Sequence, residues 1–231
     1  MHPKNTTLND NLQAALSHAE AGRPVFPCAP VTHKPRVTGG FHAATTDTTQ
    51  IERWWQKWPD SMPGIPTGPK SGLAVLDLDM KKGKDGISAL RDLGYDPDSL
   101  SPCIVSTTTG GRHLFFVHPE GLKSTSDKLA LGVDVRAEGG YVIAPGAVEK
   151  KGRYRLLSGD LSGPLTAWPE GLRPAPREAS GAASGEREGH SLAVIREAVM
   201  ALPNDGDAFA SRDDWLKIVA AVHHETDGSD N

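Results

Sequence analysis

The sequence predicts a sheet domain flanked by helices, of the α/β or α+β class, with a short helical segment after it. Three observations carry this. Short apolar runs that end in turn residues alternate with stretches of helical periodicity. Glu138-Gly139-Gly140 is a hairpin signal between two such runs. After Trp168 the composition changes to Pro, Ser, Gly and Ala before helical spacing returns.

Taken in order, Leu8, Leu12, Ala15, Leu16 and Ala19 recur at helical spacing, and Gly22 stands at a C′ position. Val25 to Cys28 reads as a short strand, followed by a loop holding Lys34-Pro35-Arg36. Asp47-Thr-Thr-Gln50 resembles a capping box. It opens a helix whose stripe is Ile51, Trp54, Trp55 and Trp58, closed by Pro59 and read as core. Gly64 to Gly72 is rich in Gly and Pro and reads as a loop. It is no phosphate-binding P-loop, because Pro69 stands where Lys is required and the glycine spacing differs.

Leu73 to Asp79 is expected as a buried strand, and Asp85 to Leu93 as a helix with Ile87, Leu90 and Leu93 inward, ended by Gly94. Arg112 to His118, Leu131 to Ala137 and Tyr141 to Pro145 are expected strands, the last two joined as a hairpin. Residues 1–172 form the expected sheet domain and 173–189 a flexible linker. Residues 190–231 carry two helical stripes, Leu192-Ile195-Val199-Leu202 and Trp215-Ile218-Val219-Val222, and read as the start of a truncated helical domain.

The 231 residues are 37% hydrophobic, enough for one sizeable core. No apolar run approaches the roughly 18 residues of a membrane span, and a secretory apolar stretch is missing at Met1. Two cysteines, Cys28 and Cys103, exclude a disulfide framework and a four-cysteine zinc site. A cytoplasmic protein with reduced thiols is expected. The net charge of −4 lacks the basic footprint usual for nucleic-acid binding. Lys81-Lys82-Gly83-Lys84 and Lys150-Lys151-Gly152-Arg153-Tyr154-Arg155 are local exceptions that read equally as solvated loops.

Chemistry points to three places. Asp77 and Asp79 are two apart on a strand, so they share a face, and paired carboxylates on an apolar strand call for a cation. A divalent metal ion and an ordinary acidic strand end both satisfy that pattern. Gly110 and Gly111 precede Arg112 and His113, and a glycine turn lets backbone N–H groups approach an anion. His113 reads as structural or as a phosphate contact. Asp134 and Arg136 share a strand face, either as a simple ion pair or as a further metal ligand beside a phosphate-binding cation. At the C-terminal end, His223-His224-Glu225 lacks the second histidine of a His-Glu-x-x-His zinc site.

The order Lys34-Pro35, Ala44-Thr45-Thr46-Asp47, Trp54-Trp55, Pro66-Thr67-Gly68, Leu76-Asp77-Leu78-Asp79, Gly110-Gly111-Arg112-His113, Val133-Asp134-Val135-Arg136 and Gly139-Gly140-Tyr141-Val142-Ile143-Ala144-Pro145 resembles the primase-polymerase family. That family is a branch of the archaeo-eukaryotic primase superfamily, found in plasmid, phage and prophage replication proteins. The resemblance spans roughly residues 10–170. It implies an α+β fold with a mixed sheet and flanking helices, and DNA primase or polymerase activity. By resemblance, Asp77, Asp79 and Asp134 are the ligands of Mg2+ or Mn2+, and His113 contacts the triphosphate of a dNTP or NTP. Lys34, Gly110, Gly111, Arg112 and Arg136 are implied around the nucleotide. Single-stranded DNA template, primer and a helicase, in the same protein or in trans, are the implied partners. Two positions depart from the family pattern. Gly111 replaces the serine of Ser-x-His, with Thr109 as the hydroxyl nearby, and the serine common after Pro145 is missing from Gly146-Ala147. Other readings of the residues are a nucleotide-sugar transferase that uses Asp-x-Asp, and a non-catalytic replication-origin binding module.

Overall fold

The computed structural model describes residues 6–174. Beyond Pro174, the rest of the linker expected over 173–189 and the helical segment over 190–231 lie outside the described residues. The helices are α1 (Thr6–Glu20), α2 (Thr48–Lys57) and α3 (Gly86–Asp92). The strands are β1 (Phe26–Cys28), β2 (Met62–Pro66), β3 (Leu73–Leu78), β4 (Cys103–Ser106), β5 (Arg112–Val117), β6 (Thr125–Ala130), β7 (Val133–Arg136), β8 (Tyr141–Ile143), β9 (Val148–Glu149), β10 (Gly152–Arg153) and β11 (Arg155–Ser158). The fold is α+β.

Helix ends follow local chemistry. Gly22 takes a left-handed φ of 76° after α1, with Gly22 N–H donating to Ala19 O and Arg23 N–H to His18 O, a Schellman stop. Asp47 caps α2 by accepting from the N–H of Thr49 and Gln50. The reciprocal half of the expected box is filled by Thr45, whose Oγ1 accepts from Asp47 N–H. In α3, Leu90 is buried and Ile87 partly so, but Leu93 is 40% exposed. Leu93 is the C-cap residue, off the helical face that the spacing assigned to it.

The main sheet has the order β11-β4-β5-β3-β7-β6, and each of its ladders is antiparallel. Mixed pairing is confined to isolated parallel bridges, Val117–Ala167 and Lys123–Glu138. Its two faces carry two cores. Val75, Cys103, Val105 and Phe115 pack with α1, α2 and the small sheet β1-β2-β8. Leu76, Leu78, Leu114, Phe116, Val133 and Val135 pack on the other face with α3, Trp168 and Leu172.

Two further expectations are corrected. The Gly/Pro-rich segment from Gly64 begins inside β2, a fully buried central strand. A Cβ at Gly64 would lie 2.7 Å from both Cys28 Sγ and the Phe26 ring, so glycine serves close packing there. Pro63 keeps its carbonyl in use, accepting from Ala144 N–H. The second correction concerns the hairpin. Glu138-Gly139-Gly140 carries the chain from β7 in the main sheet to β8, which pairs with β2 in the small one. Both cysteines are free and buried. Burial pushes the Cys28 thiol far above its ordinary range and that of Cys103 to about 11, so neither forms a thiolate readily. Among the described residues, no helix is long and apolar enough to cross a membrane.

Candidate active site

Antiparallel register assembles the site. Asp77 on β3 lies directly opposite His113 on β5 and, on its other side, directly opposite Asp134 on β7. Because directly opposed residues share a face, three ionisable side chains stand in one row across three strands. Arg136, two residues after Asp134, faces the same way. The row continues the apolar face of Val75 and Phe115, which is why its members are buried. Side-chain exposure is 14% for Asp77, 6% for His113 and 4% for Asp134.

Asp79 follows just beyond β3, with a side chain 12% exposed. Its backbone is clamped on both sides: its N–H donates to Gly132 O at 2.8 Å and its O accepts from Gly86 N–H at 2.9 Å. Gly86 is needed for that approach, since a Cβ there would sit 2.2 Å from Gly132 O.

The charges are partly paired within the protein. Arg136 Nε lies 3.4 Å from Asp77 Oδ2, and its Nη2 donates to Asp134 Oδ2 at 2.5 Å. Asp134 Oδ1 accepts from Asp127 N–H at 2.8 Å. Lys81 Nζ lies 2.8 Å from Asp79 Oδ1. His113 Nε2 is 3.5 Å from Asp77 Oδ1, while its Nδ1 is buried with no hydrogen-bond partner. Burial draws the His113 pKa below the ordinary histidine value and Asp77 opposes that, so the ring is neutral near pH 7. Tyr154 stacks obliquely on it at 5.7 Å between ring centroids and, itself buried, stays protonated.

Asp77, Asp79, His113 and Arg136 line one cavity of about 970 Å³. His33, Glu149 and Tyr154 line it too. Four exposed lysines also border it: Lys81 and Lys82 from one basic run, Lys150 and Lys151 from the other. These two runs were visible in the sequence as charge, but only the fold brings them to one opening. Lys84 is diverted to Asp127, with Nζ 2.7 Å from both carboxylate oxygens.

Other expected residues sit elsewhere. Arg112 is opposite Leu78, on the far face of the sheet from His113, and pairs with Asp98. Lys34 is exposed, and its neighbour His33 reaches the cavity wall. Gly110 occupies the left-handed turn before β5 with φ 85°. Gly111 packs against Leu78 O, where a Cβ would approach to 2.2 Å. From that turn, Thr107 and Thr109 line the cavity, and their hydroxyl oxygens are 3.2 Å apart. His33 and Glu149 had no motif to mark them.

The donors suit a hard divalent cation, because Asp77 and Asp79 present carboxylates to the same cavity. Among the described residues, no three His, Cys, Asp or Glu side chains converge closely enough to cage a metal by themselves. Asp134 in particular has both oxygens engaged. That arrangement fits an ion held by one or two carboxylates and completed by substrate phosphates.

No curated protein matches the chain. The bifunctional DNA primase/polymerase N-terminal family, Prim-Pol, matches residues 15–178, which is well over half the chain and takes in every strand that builds the site, and the chain belongs to that family.

Proposed function

We propose that this chain carries out template-directed nucleotidyl transfer, as a DNA primase, a DNA polymerase or both, in the cytoplasmic replication of a plasmid, phage or prophage-type element. The observation that carries the proposal is the row His113–Asp77–Asp134, of which His113 and Asp77, with Asp79 beside them, line a lysine-bordered cavity. In this reading a 3′-hydroxyl attacks the α-phosphate of a dNTP or NTP, and pyrophosphate leaves.

Asp77 and Asp79, with Asp134 behind them, would hold Mg2+ or Mn2+, which supplies neutralisation of the charge that develops on the phosphates. His113 offers an N–H to the phosphate tail. Arg136 is a forked donor matched to phosphate oxygens. Lys81, Lys82, Lys150 and Lys151 attract the backbones of template and primer, offsetting a net charge of −4. A helicase, in the same protein or in trans, would supply the single strand.

The test is incubation with single-stranded DNA, labelled dNTPs or NTPs, and Mg2+ or Mn2+, with and without a primer. Template-dependent incorporation is expected. Binding of DNA without incorporation would replace the proposal with an origin-binding module, and triphosphate turnover that ignores DNA would point to a different nucleotide-using transferase.

A further inference from the structure

We propose that Arg136 is an exchangeable counter-ion, whose guanidinium holds the place between Asp77 and Asp134 that a divalent cation takes over, and which then moves to the nucleotide's phosphates. The proposal rests on the metal-dependent reading above and adds a role in setting metal affinity.

The carboxylate oxygens divide into two kinds. Asp134 Oδ1 is fixed to the scaffold by Asp127 N–H. Asp127 is itself held in a left-handed conformation, φ 53°, by Gly132 N–H on its Oδ1 at 2.7 Å and by Lys84. Asp77 Oδ1 faces the buried His113 ring. The two remaining oxygens, Asp77 Oδ2 and Asp134 Oδ2, converge on one guanidinium. The oxygen bound to backbone has nowhere to go, whereas those bound to a long side chain can change partners.

The clamp is also uneven. At 3.4 Å the Asp77 contact is long beside the roughly 2.7–2.9 Å of a charge-assisted bond, while the Asp134 contact is tight. The Arg136 side chain is 29% exposed and lies on the cavity wall, so its head has a way off the carboxylates without unfolding anything. A guanidinium and a divalent cation repel at contact distance and cannot share those two oxygens. Lys81 on Asp79 is a weaker competitor, because its side chain is 53% exposed and screened by water.

The experiment is Mn2+ binding to the whole chain, followed by the electron-paramagnetic signal of the free ion, for wild type, Arg136→Met and Arg136→Lys. Arg136→Met is expected to bind Mn2+ about tenfold more tightly, since a competing charge is gone. Millimolar free guanidinium should reverse that gain, and the same variant should bind a nucleoside triphosphate more weakly. Its thermal midpoint should fall without metal and recover when Mn2+ is added. Lysine cannot fork to both carboxylates, so Arg136→Lys should also bind Mn2+ more tightly than wild type, and it carries the test if Arg136→Met fails to fold. Unchanged or weaker Mn2+ binding in the folded variant would overturn the exchange, as would no binding in any of the three proteins. Primer extension by wild type judges the polymerase reading separately, so the two failures are distinguishable.

Discussion

Along β3 the two faces of the main sheet start alike and then diverge. Ala74, Leu76 and Leu78 are apolar for the whole strand and meet Leu114, Phe116, Val133 and Val135 under α3 and Trp168. Leu73 and Val75 begin the other face in the same way, against Phe115 and Cys103, but at Asp77 that face turns ionic while staying mostly buried. The difference assigns each face a task. A slip of one residue would send every apolar side chain of the dry face to the charged side, so that face pins the register. The charged face can then hold carboxylates in one row, a placement that gains little stability and would otherwise be unfavourable.

The strongest way to break this division is to strip the charge from one face only. Asp77→Asn with Asp79→Asn keeps the shapes and should lower nucleotide incorporation by about 10³-fold or more. Circular dichroism should show the fold intact at the assay temperature. Incorporation at wild-type rates would remove these carboxylates from the chemistry. On the dry face, Leu76→Ala removes a side chain with no exposure and should cost about 2–5 kcal/mol in denaturant unfolding. Turnover per folded molecule should stay at the wild-type level. A stable Leu76→Ala protein with no activity would show that the two faces do not divide the work.

Much of the site was legible because its parts follow period-2 logic on short strands. Asp77 with Asp79, and Asp134 with Arg136, could be assigned to common faces without coordinates. Arg112 was open to the same logic: if His113 and Phe115 face the site, the residue before His113 faces away, as it does toward Asp98. What stayed hidden depends on distant pairing. Nothing local in Tyr141–Ile143 says that it joins β2, some seventy-five residues earlier, instead of β7. β6, Thr-Ser-Asp-Lys-Leu-Ala, is polar and largely exposed, so no apolar alternation announces it. The lysine runs were visible as charge, but their convergence on one cavity is a property of the sheet. The helical stripes expected over 190–231 lie outside the described residues.

A smaller change tests where the faces meet. Gly86 starts α3 on the dry side and, by its N–H, also holds the Asp79 carbonyl. Gly86→Ala would press a methyl carbon against Gly132 O and to 2.9 Å from Asp79 N. Overpacking of this kind should cost about 1–3 kcal/mol. Because Asp79 shifts with it, Mn2+ affinity should fall as well. Loss of stability with unchanged Mn2+ binding would mean that the clamp serves the fold alone.

The smallest expected effect separates the two cores by pH. The core beside the charged face has a titratable anchor: His18 on α1, buried, with Nε2 2.9 Å from Pro145 O and Nδ1 accepting from Arg23 Nε at 3.2 Å. A neutral ring makes both bonds and a protonated one cannot accept from Arg23. Burial lowers the His18 pKa, the Pro145 bond opposes this, and Arg23 adds to the lowering. The unfolded chain takes a proton at about pH 6.5, and the folded chain only below that. Stability from this residue is therefore complete above about pH 6.5 and is lost as the pH falls through the folded value. His113 shifts in the same direction, so wild type alone would not isolate the effect. His18→Gln can make both bonds without titrating, and its unfolding free energy should fall less steeply with acid. Parallel profiles for the two proteins would free His18 of any part in acid sensitivity and leave the charged row to account for all of it.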